Sequence, residues 1–180
     1  DIMEKQKVIA LVDCDSFFVS CEQKRNPELK GKAVCVLSNN DGCVISRSQE
    51  AKIAGVKMGE PFFMAKKDHS KVTYITADHE YYSQVSSQVM SILKDFSPYV
   101  QVYSVDEAFV DFTGLKKLYK KNYRTLAIYL REKVLKEADI PVSIGVSTSK
   151  TLAKLASDKA KSSTCGVYPV SYTHLTLPTN

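Results

Sequence analysis

The sequence predicts an α+β fold, a mostly antiparallel sheet with helices on one face and a small subdomain inserted near its start. Three observations lead there. Short apolar runs alternate with stretches of helical period, and two runs, 99–105 and 108–112, make a hairpin pattern broken only by Asp106-Glu107. The stretch between the first helix and residue 79 is more polar than its flanks, as an insertion would be. At 180 residues, with a hydrophobic set of 44% and charged residues at 25%, the chain suits one domain with a real core and excludes a disordered or fibrous protein.

Residues 7–12 read as a short buried strand, and Ser16 offers an N-cap for a helix reaching about residue 24. Asn26-Pro27 and Gly31 break the chain before a second apolar run, 33–37. Residues 38–42 are a loop by composition, and a helix carrying Arg47, Glu50 and Lys52 is expected to follow up to Gly55. A strand is expected at 72–76. From 79 to 96 the apolar positions Tyr82, Val85, Val89, Leu93 and Phe96 recur at helical spacing, and Pro98 stops that helix. After the hairpin and Thr113-Gly114, Tyr123, Leu126, Leu130 and Val134 mark the face of another helix. Pro141 opens a strand at 142–146, and Ser149 starts a last, lysine-rich helix. No internal repeat is present.

Lysines and arginines number 25 against 20 acids, a formal net charge of +5, and the excess is uneven. Lys116, Lys117, Lys120, Lys121, Arg124, Arg131, Lys133 and Lys136 face only Glu132 within their stretch, and residues 150–161 add four lysines against Asp158. Charge alone favours solvated helix faces over a surface for phosphate backbones. The five cysteines, Cys14, Cys21, Cys35, Cys43 and Cys165, are odd in number and lack ligand-like spacing, so reduced thiols that mostly fill the core are expected. No apolar run approaches a membrane span and the first residues do not resemble a signal peptide, so a cytoplasmic protein with no membrane partner is expected.

The residues that ask for chemistry are acids at strand ends. One apolar run leads into Asp13-Cys14-Asp15 and another into Asp106-Glu107. A carboxylate leaving water needs a positive partner, and a divalent cation supplies one. Two-metal phosphoryl transfer uses carboxylates that hold both ions close together, and hard cations such as Mg²⁺ take oxygen ligands without histidine. Asp13, Asp106 and Glu107 form such a set if their strands are neighbours, and the Cys14 backbone carbonyl is a further ligand. The plainer reading makes these acids turn residues or helix caps, which suits Asp15 best.

With those residues stand four motifs in order: VDCDSFF, SNNDGCVISRSQEAKIAGVKMGEP, SVDEAF and GVSTSKTLAKLASDKAK. Together they resemble the Y-family translesion DNA polymerases, most closely the UmuC-like branch, over about residues 8–170. The resemblance implies a palm at 1–24 and 80–170 and an inserted fingers subdomain at 25–79. It implies template-directed DNA synthesis from dNTPs on primer-template DNA, as in damage bypass and the SOS response. Asp13, Asp106 and Glu107 then bind two Mg²⁺ ions, with the Cys14 carbonyl as an additional ligand. Phe18 falls where the family places a ring that excludes a 2′-hydroxyl; the neighbouring Phe17 reads as core. Lys52 and Lys161 fall at positions facing the triphosphate, where a point charge suits polyphosphate, and Arg47 is a weaker candidate on the expected fingers helix. Gln49 departs from a common tyrosine, and Ser162-Ser163-Thr164 from a common Pro-Asn.

The resemblance also implies that a thumb and a distal DNA-binding domain, the usual seat of contacts with a processivity clamp or recombinase, are absent here. Residues 171–180, SYTHLTLPTN, resemble the in-frame translation of a transposon-type sequencing adapter and are expected to be non-native. The fragment alone is accordingly expected to be weak or inactive. Two other readings of the acids remain: a nucleotide cyclase, whose usual GGDEF-type hairpin SVDEAF replaces poorly, and a non-catalytic palm that only binds nucleic acid.

Overall fold

The structure is a computed structural model that describes residues 7–163 and 165–169; the tail at 171–180 lies outside them. The chain forms two compact units, one comprising the chain up to Asp15 and from Ser86 onward, the other Ser16–Val85.

The first unit holds a five-stranded sheet. Its elements are β1 (Ile9–Cys14), most of a helix numbered α4 below, β5 (Val100–Ser104), β6 (Glu107–Asp111), α5 (Leu115–Tyr119), α6 (Tyr123–Ala138), β7 (Val142–Ser147), α7 (Lys150–Ala160) and β8 (Val167–Pro169). Strand order is β5-β6-β1-β7-β8, antiparallel except for the β7–β8 pair. β1 is central. Ile9 lies opposite Asp111 and Ser147, Leu11 opposite Phe109 and Gly145, and Asp13 opposite Glu107 and Ser143. By the two-residue period of a strand, all of these share one face.

That face is covered by α7: Ile9, Leu11, Phe109 and Ala153 form a buried cluster. The opposite face, with Ala10, Val12, Ile144 and Val146, is equally buried, and α6 packs there through Leu126, Leu130 and Val134, each fully buried. The helices therefore divide between the two faces rather than sharing one, which is why all six residues of β7 are buried. Gly145 makes the α7 contact possible. A Cβ on it would lie 2.0 Å from the Ser157 backbone nitrogen and 2.3 Å from the Ala153 carbonyl oxygen, so helix backbone rests directly on strand backbone. At its other end the sheet is closed by Phe112, whose N–H donates to the Val8 carbonyl at 2.8 Å.

The second unit has a three-stranded sheet in the order β3-β2-β4. It is built from α1 (Phe17–Arg25), a short 3₁₀ turn at Pro27–Leu29, β2 (Val34–Leu37), β3 (Val44–Arg47), α2 (Gln49–Ile53), α3 (Phe62–Asp68), β4 (Thr73–Thr76) and the start of α4 (His79–Phe96). Cys35, Leu37, Val44, Ala51, Val56, Ala65 and Val72 make its core. α1 belongs here because its Val19 N–H donates to Ser46 Oγ on β3 and because a charge network ties it to α4. Buried Glu22 accepts from Tyr82 Oη at 2.6 Å and pairs with Arg25 at 2.9 Å. Arg25 also pairs with Asp78 at 2.8 Å and lies over the Tyr81 ring. Such a buried acid is tolerable only because every partner is in place.

Several local expectations are corrected. Ser16 stands at the N-cap position of α1 but in left-handed backbone, φ 40°, without a side-chain cap hydrogen bond. Residues 44–47 are a strand, so Arg47 lies on β3, where its guanidinium donates to the Val56 carbonyl, and the helix begins only after Ser48, which caps it. α3, α5 and β8 carry no clear signal in the sequence. Ser149 does cap α7, accepting from the Leu152 N–H. The five cysteines are free thiols, three of them buried, and burial pushes the Cys21 thiol up to about 12.

Replacing Gly145 by Ala is expected to cost about 3 kcal/mol or more, because the new methyl meets backbone that has no rotamer to move. Denaturant unfolding measures this; a loss below about 1 kcal/mol would show that α7 stands further from β7.

Candidate active site at the end of the palm sheet

β1 ends at the site. Its last N–H groups are fixed from both sides, Cys14 N–H donating to the Asp106 carbonyl at 2.8 Å and Asp15 N–H to the Pro141 carbonyl at 2.9 Å. The first bond joins β1 to the turn between β5 and β6, the second to the chain just before β7. Asp13, opposite Glu107, is thereby presented on the α7 face of the sheet.

The hairpin supplies the other acids. Asp106 lies in its turn, whereas Glu107 is already the first residue of β6. Ser104 gathers the two: its hydroxyl is 2.9 Å from Asp106 Oδ1 and 3.0 Å from Glu107 Oε2. From α7 comes the counter-charge. Lys161, the C-cap residue, places Nζ 3.1 Å from Asp13 Oδ2 and 3.6 Å from Asp15 Oδ1. Asp15 also accepts from Ser143 Oγ at 2.6 Å, so it sits inside this charge cluster rather than serving α1 as a cap.

Asp13 is pushed up to about 6, first by burial, against which the Lys161 charge acts, and further by Asp106 and Glu107. Lys161 is held above its ordinary value, because the two carboxylates outweigh its burial. The partners are unequally served: the lysine meets two acids, while Asp13 answers to burial and to two more carboxylates. Among the described residues no three such groups are close enough to hold a metal ion as they stand. The donor set still fits a hard divalent cation, since it is made of carboxylate oxygens without imidazole, and Asp13 has less positive charge beside it than its ionised form requires.

The sequence-predicted residues divide accordingly. Asp13, Cys14, Asp106, Glu107 and Lys161 meet in the first unit. Phe18 and Lys52 lie in the second, Phe18 half-buried with its ring stacked on Tyr82 at 4.8 Å and Lys52 exposed on α2. Phe17 is core, as expected. Ser104 and Ser143 are not among the sequence-predicted site residues; Ser104 stands at the head of the SVDEAF motif, whereas Ser143 is revealed by strand pairing alone.

A family model described as the impB/mucB/samB family matches residues 12–158. The chain belongs to this family. It is 44% identical over 159 residues to Protein UmuC of Salmonella typhimurium strain LT2, covering 86% of this chain and 36% of that protein. It is 36% identical over 159 residues to DNA polymerase IV of Saccharolobus solfataricus, covering 86% of this chain and 45% of that protein. Among solved structures, DinB from Sulfolobus solfataricus superposes with a TM-score of 0.80 at 28% identity, covering 93% of this chain and 49% of that one. A Dbh ternary complex gives a TM-score of 0.82 at 29% identity over 93% of this chain and 48% of that one. The chain thus spans about a third to a half of the length of these relatives. The fold is the palm-type sheet with an inserted subdomain that the motifs implied, within a UmuC-like, Y-family chain. No helix among the described residues is long and apolar enough to cross a membrane.

The crowding of acids is testable through pH. The folded value of Asp13 lies above the ordinary 3.8, so between 3.8 and about 6 the folded chain keeps a proton that the unfolded chain has released. The stability this group contributes is full below about pH 4 and falls as pH rises to about 6, by at most roughly 1.4 kcal/mol per pH unit. Carboxyl-carbon NMR of the metal-free protein should give Asp13 a midpoint near 6, and Lys161→Ala should raise it. A midpoint at 4 or below would exclude the crowded site.

Proposed function

We propose that this chain is the catalytic portion of a translesion DNA polymerase, transferring nucleotides from dNTPs to a primer 3′-OH along a DNA template. The observation that carries the proposal is the pairing of Asp13 with Glu107 across β1 and β6, beside Asp106 and with Lys161 at 3.1 Å from Asp13. The first unit acts as palm and the second as fingers. The relatives support the reading in their own names, one a DNA polymerase IV and another, Dbh, seen in a ternary complex with its substrates.

Asp13, Asp106, Glu107 and the Cys14 carbonyl would hold two Mg²⁺ ions, which when bound would make the primer hydroxyl a better nucleophile and balance charge on the departing phosphates. The chain's own groups do the rest. Ser104 keeps the Asp106 and Glu107 carboxylates together, which lowers the reorganisation needed to present them as one set. Asp13 must lose its proton to become a ligand, and the Lys161 ammonium favours that loss. When a triphosphate arrives, Lys161 offers it a mobile point charge already held at the site by two acids. Motif position alone assigns Lys52 to the triphosphate as well, and Phe18 to the exclusion of ribonucleotides. Contacts with a processivity clamp or recombinase belong to sequence that the longer relatives carry.

Primer extension with the chain extended to the relatives' length tests this. Asp106→Ala is expected to lower incorporation by at least about a hundredfold while leaving the fold intact by circular dichroism. Undiminished synthesis would remove the metal site. Cyclic product formed from nucleoside triphosphates without primer would instead favour the cyclase reading.

A further inference from the structure

The helix pair at the far end of the first unit carries a charge that the active site does not use. Lys116, Lys117, Lys120, Lys121 and Arg124 fall within nine residues, and no acid occurs between Asp111 and Glu132. The segment is compact: Lys121 N–H donates to the Lys116 carbonyl at 3.2 Å, joining the end of α5 to the approach to α6. Among the described residues none of these five cations forms an ion pair. Lys116 lies over the Tyr123 ring and Lys121 over the Tyr129 ring, at 5.4 and 5.6 Å. In their midst Leu118 is 71% exposed, and Tyr129 is 40% exposed.

The support beneath is rigid. The Tyr119 ring stacks on Phe96 at 4.7 Å, and its hydroxyl donates to the Phe96 carbonyl at 2.8 Å. Asn122 caps α6, accepting from the Thr125 N–H. An exposed leucine on a firm base within uncompensated positive charge is a surface, not a frayed end.

Its place decides between two polyanions. α5 follows β6 and begins where Val8 N–H donates to Thr113 Oγ1, at the end of β1 away from Asp13. That is about 17 Å along the strand from the acids. α6 packs on the sheet face opposite α7, while Asp13, Glu107 and Lys161 lie on the α7 face. A rigid duplex whose primer end sits at the acids does not also pass over α5. The apolar centre points the same way, because Leu118 has nothing to offer a phosphate backbone, and four of the six basic groups in 116–131 are lysines rather than the planar arginines that read nucleic acid.

We propose that α5 and the first two turns of α6 form a docking surface for an acidic protein segment bearing an apolar side chain, which Leu118 and Tyr129 receive while Lys116, Lys117, Lys120, Lys121 and Arg124 meet its carboxylates. The surface is separate from the polymerase site and would bring a partner to the back of the palm without covering the acids.

The test uses the 180-residue chain and a fluorescein-labelled synthetic peptide of alternating Glu and Leu. Binding is expected to weaken about tenfold or more with Lys117→Glu combined with Arg124→Glu, to fall with added salt, and to weaken several-fold with Leu118→Ser at unchanged charge. All three positions are exposed, so the fold should survive, and circular dichroism checks it. Amide NMR shifts on peptide addition should centre on 115–129 and spare Asp13 and Glu107. The proposal is overturned if the peptide does not bind, if Leu118→Ser has no effect, or if a short DNA duplex binds this surface more tightly than the peptide and is the ligand lost on charge reversal.

Discussion

Everything at the candidate site depends on the register of β1. A central strand paired antiparallel on both sides has no freedom to slide: a slip of one residue would carry Leu11 out of the α7 cluster and Asp13 into the apolar layer beneath α6. The two backbone bonds at its end, from Cys14 to Asp106 and from Asp15 to Pro141, lock that register from opposite sides. The geometry of the candidate site and core packing are thus one constraint. The hydrophobic interval Ile9, Leu11 that seals the α7 face is continued, at the same period, by the acid.

The site is also an electrostatic compromise. Four carboxylates, Asp13, Asp15, Asp106 and Glu107, are brought near one another at the edge of a buried sheet, and the fold sets one lysine from another element against them. The result raises Asp13 to about 6, a sign that the protein supplies less positive charge there than an ionised carboxylate asks for. In the second unit the opposite policy holds. Glu22 is buried with its full complement of partners, Tyr82 and Arg25, and the network serves packing and nothing else that the geometry shows.

Much of this was legible in the sequence where period and chemistry agree. The strand-end acids, the 79–96 helix with its exact apolar spacing, the hairpin and the Ser149 cap all announce themselves through local pattern. What stayed hidden was set by tertiary pairing. Residues 44–47 read as helix because Ser46, Arg47 and Ser48 are polar, yet Ser46 and Ser48 are buried by hydrogen bonds to Val19 and Val34 that only the folded unit supplies. Ser16 looks like a cap, but the chain turns through left-handed backbone there and its hydroxyl makes no cap hydrogen bond. Ser104 opens the SVDEAF motif without announcing a role, and Ser143 lies in no motif; each matters through the carboxylates it meets in the folded chain.

The backbone contact at Gly145 turns α7 into a ruler. With the helix seated directly on β7, and its start fixed by the Ser149 cap, the position of its final residue follows from counting turns. Lys161 reaches Asp13 because the count from cap to end is right. One residue inserted into α7 would advance the lysine by about 1.5 Å and swing it by about 100° around the helix axis, away from the acids. The length of a helix whose buried face is mostly alanine and serine is therefore as much a part of the site's chemistry as the carboxylates themselves.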